Sequence, residues 1–394
     1  MTKQKLARLT AAVLVVILLV LPFSSQTDRI IDKVSSRIEN PKALQNFLVA
    51  LAASRSGRLE PVRIMHFGDS HVAADILTRE IRQRFQQEFG DGGPGFVVPR
   101  NPMATKRVGV ESSATDGWVI EGIGGRYASD NIYGPAGISL VTQRPGERAW
   151  LQADSNHFEV FLVREPGAGS IEVTINGNDA LDQPLNLVAS RTSVEFLSFD
   201  TADEGLHRIE VRTLAAGRVR LLGLVAERIS PGVSYDVFGI NGAKANRILN
   251  WNQAALAEAI SSRNPDLIII AYGTNEVTEA DWTASDYQVE LGDILRRLHT
   301  MAPDSALLVF APPDRADLRL NSRLPQLINA ERRAALANGA AFWSAYDAMG
   351  GAGSMNAWVR QGLAQSDRVH LTTAGYTRLA DQFFNDVMRV WREK

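Results

Sequence analysis

Apolar and polar positions divide the chain into three textures. Between residues 30 and 54, Val34, Ile38, Leu44, Phe47, Leu48 and Leu51 recur at helical spacing, and Pro41 is expected to split that helix. The run Val62 to Phe67 predicts a short strand ended by Gly68, and Ile76, Leu77, Ile81 and Phe85 predict an amphipathic helix over 75–89. A glycine-rich loop, Gly90 to Gly95, closes this part. From about Phe96 to about Glu227 the helical period is lost. Ile171 to Ile175 alternates strictly, and 157–163, 194–199, 207–212 and 219–225 predict further strands, with Pro166-Gly167 and Asn176-Gly177 as turns. Strands at this rhythm predict an all-β sandwich or jelly roll. From Tyr235 the period alternates again. Strands are predicted at 237–240, 267–272, 306–310 and 341–343, and helices at 244–262, 285–300, 323–338 and 374–392. Leu267 to Tyr272 is continuously apolar, as in a strand covered on both faces.

Strands alternating with helices predict an α/β fold with a parallel sheet and helices on both faces. Its first part falls in 30–95 and its second in 228–394, with the β-insert at 96–227 between them. Ahead of this body, Lys3, Lys5 and Arg8 precede an unbroken apolar run from Ala11 to Phe23. A basic segment followed by such a run predicts an export signal over residues 1–25. Leu9 and Thr10 can lengthen it, so an N-terminal membrane anchor over 9–23 competes with a cleaved signal peptide. Either places the body outside the cytoplasm, in the periplasm or secreted.

Composition narrows the chemistry. The 394 residues contain no cysteine, which excludes disulfides, Cys-ligated zinc, iron–sulfur clusters and a thiol nucleophile. The net charge of -2 offers no broad basic field for nucleic acid. No H-E-x-x-H, Walker A or EF-hand pattern is present, so neither metal nor cofactor is expected. The pattern specifies no oligomeric state.

Four short segments carry candidate chemistry. Gly68-Asp69-Ser70-His71 lies between a predicted strand and helix, where a serine hydroxyl is exposed and its N–H sits near a helix N-terminus. Asn241-Gly242 follows the next strand, and a glycine there lets a substrate oxygen approach a backbone N–H. Gly273-Thr274-Asn275-Glu276 follows the third, and an asparagine amide at that place can donate to a developing oxyanion. Asp367-Arg368-Val369-His370 precedes the last helix, with a carboxylate and an imidazole three residues apart. Alone, each is ordinary turn or capping chemistry. Their common order and placement is not.

In these four segments the sequence resembles the SGNH/GDSL hydrolase family, whose marker residues are Ser, Gly, Asn and His in that chain order. The resemblance implies a flavodoxin-like SGNH hydrolase fold, interrupted by the insert. It implies Ser70 as nucleophile, His370 as general base and acid, and Asp367 as the residue orienting it. It implies an oxyanion hole from the N–H of Ser70, the N–H of Gly242 and the amide of Asn275. His71 departs from the usual G-D-S-L. With His66 it gives two further imidazoles near the nucleophile, either of which is a possible base, although His66 should point along a buried strand. His71 is instead a candidate to touch substrate. His157, His207 and His299 are expected to be structural or solvated.

His71, the insert and Gly92-Gly93-Pro94-Gly95-Phe96 resemble the branch that contains peptidoglycan O-acetylesterases and related acetyltransferases. In that branch the inserted β-domain resembles a carbohydrate-binding module. The implied partner is an O-acetylated polysaccharide, peptidoglycan first among them. Trp118, Tyr127, Tyr133 and Trp150 are candidates to stack on sugar rings, against the simpler reading that they fill the β-domain core. Three functions stay open: an O-acetylesterase, or an acetyltransferase using the same acyl-enzyme; another ester hydrolase, lipase or thioesterase; and a carbohydrate-binding protein with a decayed site. The complete residue set argues against decay.

Overall fold

The structure is a computed structural model, described for residues 36–104, 107–317 and 322–393. The signal or anchor expected at 1–25 lies outside the described residues. Among the described residues no helix is long and apolar enough to cross a membrane.

Five strands form a parallel sheet: β1 (Val62–Gly68), β2 (Val233–Gly239), β3 (Leu267–Ala271), β4 (Ala306–Ala311) and β5 (Ala341–Ser344). Their spatial order is β2-β1-β3-β4-β5, the flavodoxin-like order. Every residue of β3 and β4 is buried, which accounts for their uninterrupted apolar sequence. Alternate residues feed two cores. Ile64, Leu267, Ile269, Leu308 and Phe310 face the helices Gln45–Arg55, Leu77–Phe89 and Thr373–Arg392. Met65, Phe67, Ile268, Ile270 and Val309 face the helices Gln253–Arg263, Ala284–Met301 and Arg323–Ala337.

Between β1 and β2 the chain builds two antiparallel sheets. One holds 193–200, 157–164, 219–227, 138–142 and 119–122, with 95–97 against 219–227; the other holds 185–186, 170–175, 206–213, 148–154 and 111–114, with 178–179 at 170–175. Leu140, Leu151, Phe158, Val160, Ile209, Val211 and Leu221 pack between them. This sandwich is not a separate bead: Phe96 and Phe161 join Phe67, Phe238 and Ile240 in one core, and Arg37–Lys394 forms one compact unit.

Three local expectations are corrected. The helix expected over 244–262 is a 3-10 turn, Ala245–Asn250, followed by a helix over Gln253–Arg263. The break comes at Asn252, which adopts an extended conformation and caps the second helix through the N–H of Ala255. The helix expected over 75–89 starts at Leu77, because Asp75 takes φ +48° between it and a separate short helix, Ser70–Ala73. The strand expected at 237–240 begins at Val233.

Candidate active site

The parallel sheet brings the candidate segments together. In register, Gly68 of β1 stands beside Gly239 of β2 and Ala271 of β3, so three strands end level. Ser70 follows β1, Gly242 follows β2 and Asn275 follows β3. Sites in such sheets lie at the carboxyl ends of strands, where the order reverses. Close packing demands the motif glycine: a Cβ on Gly68 would sit 2.3 Å from Val72 Cγ2 and 2.6 Å from the carbonyl of Ala271. The next helix therefore starts at once, with Asp69 as its cap accepting from the N–H of His71 at 3.0 Å. Ser70 opens that helix with its hydroxyl half-buried.

The hydroxyl meets an imidazole. Ser70 Oγ lies 2.9 Å from His370 Nε2, and His370 Nδ1 lies 2.7 Å from Asp367 Oδ2. With the ring proton on Nδ1 directed to Asp367, Nε2 is free to accept the serine proton. The turn holding this pair is tightly built. Asp367 Oδ1 accepts from the N–H groups of Val369 and His370, both at 3.0 Å, and Arg368 takes φ +58°. The loop after β4 braces it through the N–H of Ala316, which donates to the carbonyl of Arg368. Burial alone would raise the Asp367 carboxyl. Hydrogen bonds from the His370 ring and two backbone N–H groups outweigh it, and the group stays below the usual carboxylate range.

Two further candidate donors, Gly242 and Asn275, stand on the turns that leave the same end of the sheet. Gly242 takes φ +73°, a conformation suited to glycine, with open space where a Cβ would lie. Asn275 Nδ2 donates to the carbonyl of Ala243 at 2.9 Å. An amide nitrogen carries two hydrogens, so the second is free for an incoming oxygen. The first loop of the insert reaches this turn, since the N–H of Asn241 donates to the carbonyl of Met103 at 2.9 Å.

The other histidines fall elsewhere. His66 is fully buried, 2.8 Å from the hydroxyl of Tyr235, and burial pushes its pKa down to about 3. His71 is 5% exposed, with Nδ1 2.8 Å from Tyr376 Oη and its ring 5.3 Å from that of His370. Burial lowers its pKa, so it stands as a neutral packing neighbour of His370 and presents no face for substrate, which corrects the expectation of contact. Trp118 is also corrected: at 2% exposed it fills the sandwich core and cannot stack on a sugar. Tyr133 is buried too, its hydroxyl accepting from the N–H of Ala128. Trp150 is half-buried under the Arg208 guanidinium, and Tyr127 remains exposed.

Among the described residues one group has donors spaced for a metal, namely His157, Glu159 and Glu227. Glu227 already accepts from Arg63 and Arg263, so cations occupy the oxygens a metal would need. Glu276 and Tyr376 also stand at the site, against the Asn275 turn and His71 respectively. Glu276 was visible as an acid placed directly after a strand-end asparagine; Tyr376 sits in an ordinary helical pattern and gave no signal.

Residues 201–378 match the GDSL-like lipase/acylhydrolase family. That span holds Gly242, Asn275, Asp367 and His370 but not Ser70, which the insert separates from them in sequence. A structure of a peptidoglycan O-acetylesterase in action is similar over 89% of this chain and 97% of its own, with a TM-score of 0.73 and 25% identity. A family two carbohydrate esterase with a carbohydrate binding domain, from Corynascus thermopiles (Myceliophthora fergusii), is 11% identical over 66% of this chain and 97% of its own, with a TM-score of 0.33. Another, from Cellvibrio japonicus, is 13% identical over 72% and 99%, with a TM-score of 0.30. No curated protein sequence matches. The family match over residues 201–378, the structural likeness over 89% of the chain and the assembled site agree on one reading: an SGNH/GDSL hydrolase, a serine esterase of that type.

Proposed function

We propose that the protein is an extracytoplasmic esterase that removes O-acetyl groups from a polysaccharide, with peptidoglycan the first candidate, through an acyl-enzyme on Ser70. The observation that carries the mechanism is the continuous line from Ser70 Oγ through His370 to Asp367, at 2.9 and 2.7 Å. Ser70 Oγ attacks the acetyl carbonyl while His370 Nε2 takes its proton. The carbonyl oxygen gains negative charge and is met by the N–H groups of Ser70 and Gly242 and the amide of Asn275. His370 then returns the proton to the departing sugar oxygen, leaving Ser70 acetylated. Water, deprotonated by the same nitrogen, releases acetate and restores the serine. Asp367 holds the ring tautomer and offsets the imidazolium charge.

A sugar polymer is supported by three things. The neighbour of similar architecture is a peptidoglycan O-acetylesterase. An acetyl group needs no long apolar channel. Three residues on from Ser70, at Ala73, a cavity of about 460 Å³ opens between this helix and the insert; none of the five site residues lines it, and Asp75, Arg100, Asn101, Arg107 and Asp116 are among its polar lining, a place for neighbouring sugars of a polymer. Export is supported by the basic residues and apolar run at 3–23.

The test is acetate release from O-acetylated peptidoglycan by the purified protein, beside its Ser70→Ala variant. Release that depends on Ser70 is expected. Cleavage of a small aryl acetate without release from the polymer would retain the esterase and reject peptidoglycan as substrate.

A further inference from the structure

Glu276 follows Asn275 directly and is 3% exposed, yet no step above uses it. Its Oε1 accepts from the N–H of Ala245 at 2.8 Å, and its Oε2 accepts from the N–H of Gly273 at 3.0 Å. Ala245 belongs to the turn that carries Gly242, and Gly273 to the turn that carries Asn275. One side chain therefore spans the two loops that follow β2 and β3. Beside it, the Asn275 amide donates to Ala243, a second link between the same loops. A carboxylate suits this place because both its oxygens accept, whereas a glutamine offers one acceptor and an amide that would face the other N–H.

We infer that Glu276 is a positioning residue of the esterase reaction: its carboxylate clamps the Gly242 and Asn275 turns at the separation at which both donors meet the substrate oxyanion. This rests on the assignment of Gly242 and Asn275 as those donors. Oxyanion stabilisation depends on donors already fixed where charge will develop, so a change in the gap between the two turns weakens the transition state more than the bound ester.

The energetic setting separates this role from a stabilising one. Burial first, then the negative charge of Asp69, pushes Glu276 up to about 7, although the N–H groups of Ala245 and Gly273 pull the other way. Asp69, Glu331 and the phenols of Tyr272 and Tyr287 face the same interior. A carboxyl whose folded pKa lies above its unfolded value favours the fold only while protonated. As pH rises from the ordinary 4.5 through about 7, ionising it costs stability, and the cost is complete above that range. A residue held for stability alone has no reason to carry that penalty.

The experiment compares Glu276→Gln with Asn275→Ala, the double variant and Ser70→Ala, on an aryl acetate at pH 8.5. For Glu276→Gln, kcat should fall about tenfold or more with KM within about twofold, as for a disturbed oxyanion donor. Its Tm at that pH should be equal to or above that of the wild type. A boronic acid that forms a tetrahedral adduct on Ser70 should bind more weakly by a similar factor, while inhibition by acetate stays unchanged. The double variant should lose less than the product of the single losses, since both residues act on one oxyanion. Glu276→Asp, which keeps the charge but shortens the reach, should also lose kcat; it serves as the readout if the glutamine variant does not fold. Wild-type kcat in either folded variant overturns the clamp, as does a loss of kcat that multiplies fully with that of Asn275→Ala and accompanies a lower Tm. An active Ser70→Ala protein would instead remove the esterase mechanism underneath, so the two failures are distinguishable.

Discussion

Two clusters of charged side chains join segments far apart in sequence, and they are built in opposite ways. At the junction of insert and parallel sheet, Arg263, Glu227 and Asp236 are 0%, 1% and 1% exposed at their side chains. Arg263 Nε donates to Asp236 at 3.0 Å and its Nη2 to Glu227, while Arg63 Nη2 donates to Glu227 at 2.8 Å. In the catalytic line, His370 and Asp367 stay 35% and 45% exposed. Burying a charge is tolerable only where every charge has a partner, and such a network then resists any change of protonation. A general base must change protonation in each turnover, so its partner is one carboxylate at an open edge. Burial with full pairing suits charges that hold the insert on the sheet; exposure with a single aimed partner is what the proposed proton transfer by His370 requires.

That contrast can be broken most decisively at the catalytic line. Ser70→Ala and His370→Ala should each lower kcat by about 10⁵-fold or more while circular dichroism and Tm hold near wild type. A large Tm loss in either would make the line structural. Arg263→Met should do the reverse. It leaves Glu227 and Asp236 buried without their main partner, and the expected loss is about 3–5 kcal/mol in denaturant unfolding, with kcat of the surviving folded protein little changed. A stability near wild type would show that the junction charges are not needed to hold the fold. Asn275→Ala should lower kcat by about 10²–10³ with KM nearly constant; a pure KM effect would move Asn275 from oxyanion stabilisation to ground-state binding. Asp367→Asn should cost rate more than stability, and an unchanged rate would leave Asp367 as a turn cap.

The smallest effect is on pH. His66 is buried neutral, with its folded pKa near 3 against 6.5 unfolded. The unfolded chain takes up its proton first, so this contribution is intact above 6.5 and declines as pH falls toward 3. Glu227, which burial would raise, is held well below the carboxylate range by Arg263 and Arg63, so its contribution is lost on the acid side as well, below its ordinary 4.5. Glu276 gains stability as pH falls through the same range, so the comparison is with His66→Gln, in which that gain is retained: from pH 7 to 4 the wild-type Tm should fall relative to that of the variant. A difference that stays constant with pH would exclude His66 as the source of that fall.

Much of this was legible in the sequence because the relevant signals are local. Continuous apolar runs gave β3 and β4, strict alternation gave strand 170–175, and the four short motifs stood at strand ends or before the last helix. Contacts made at long range were not legible. Asp75 delays the start of the Leu77–Phe89 helix through a left-handed backbone that no periodicity reports. Trp118 looked available to a sugar until the sandwich closed over it. The strands at 111–114, 119–122 and 138–142 were passed over: the first two are short and poor in apolar pattern, and pairing with their neighbours defines them. Glu276 has the same history, since its partners lie on two loops that meet only when β2 and β3 flank β1.

The central claim is that Ser70 carries the acyl group, and mass spectrometry of the protein quenched during turnover of an aryl acetate tests it most directly. The expected result is one added acetyl group, mapped to Ser70, absent from Ser70→Ala and accumulating further in Asp367→Asn if deacylation is the slowed step. Rapid turnover with no acetyl on Ser70, or with the acetyl on another residue that survives Ser70→Ala, would contradict it.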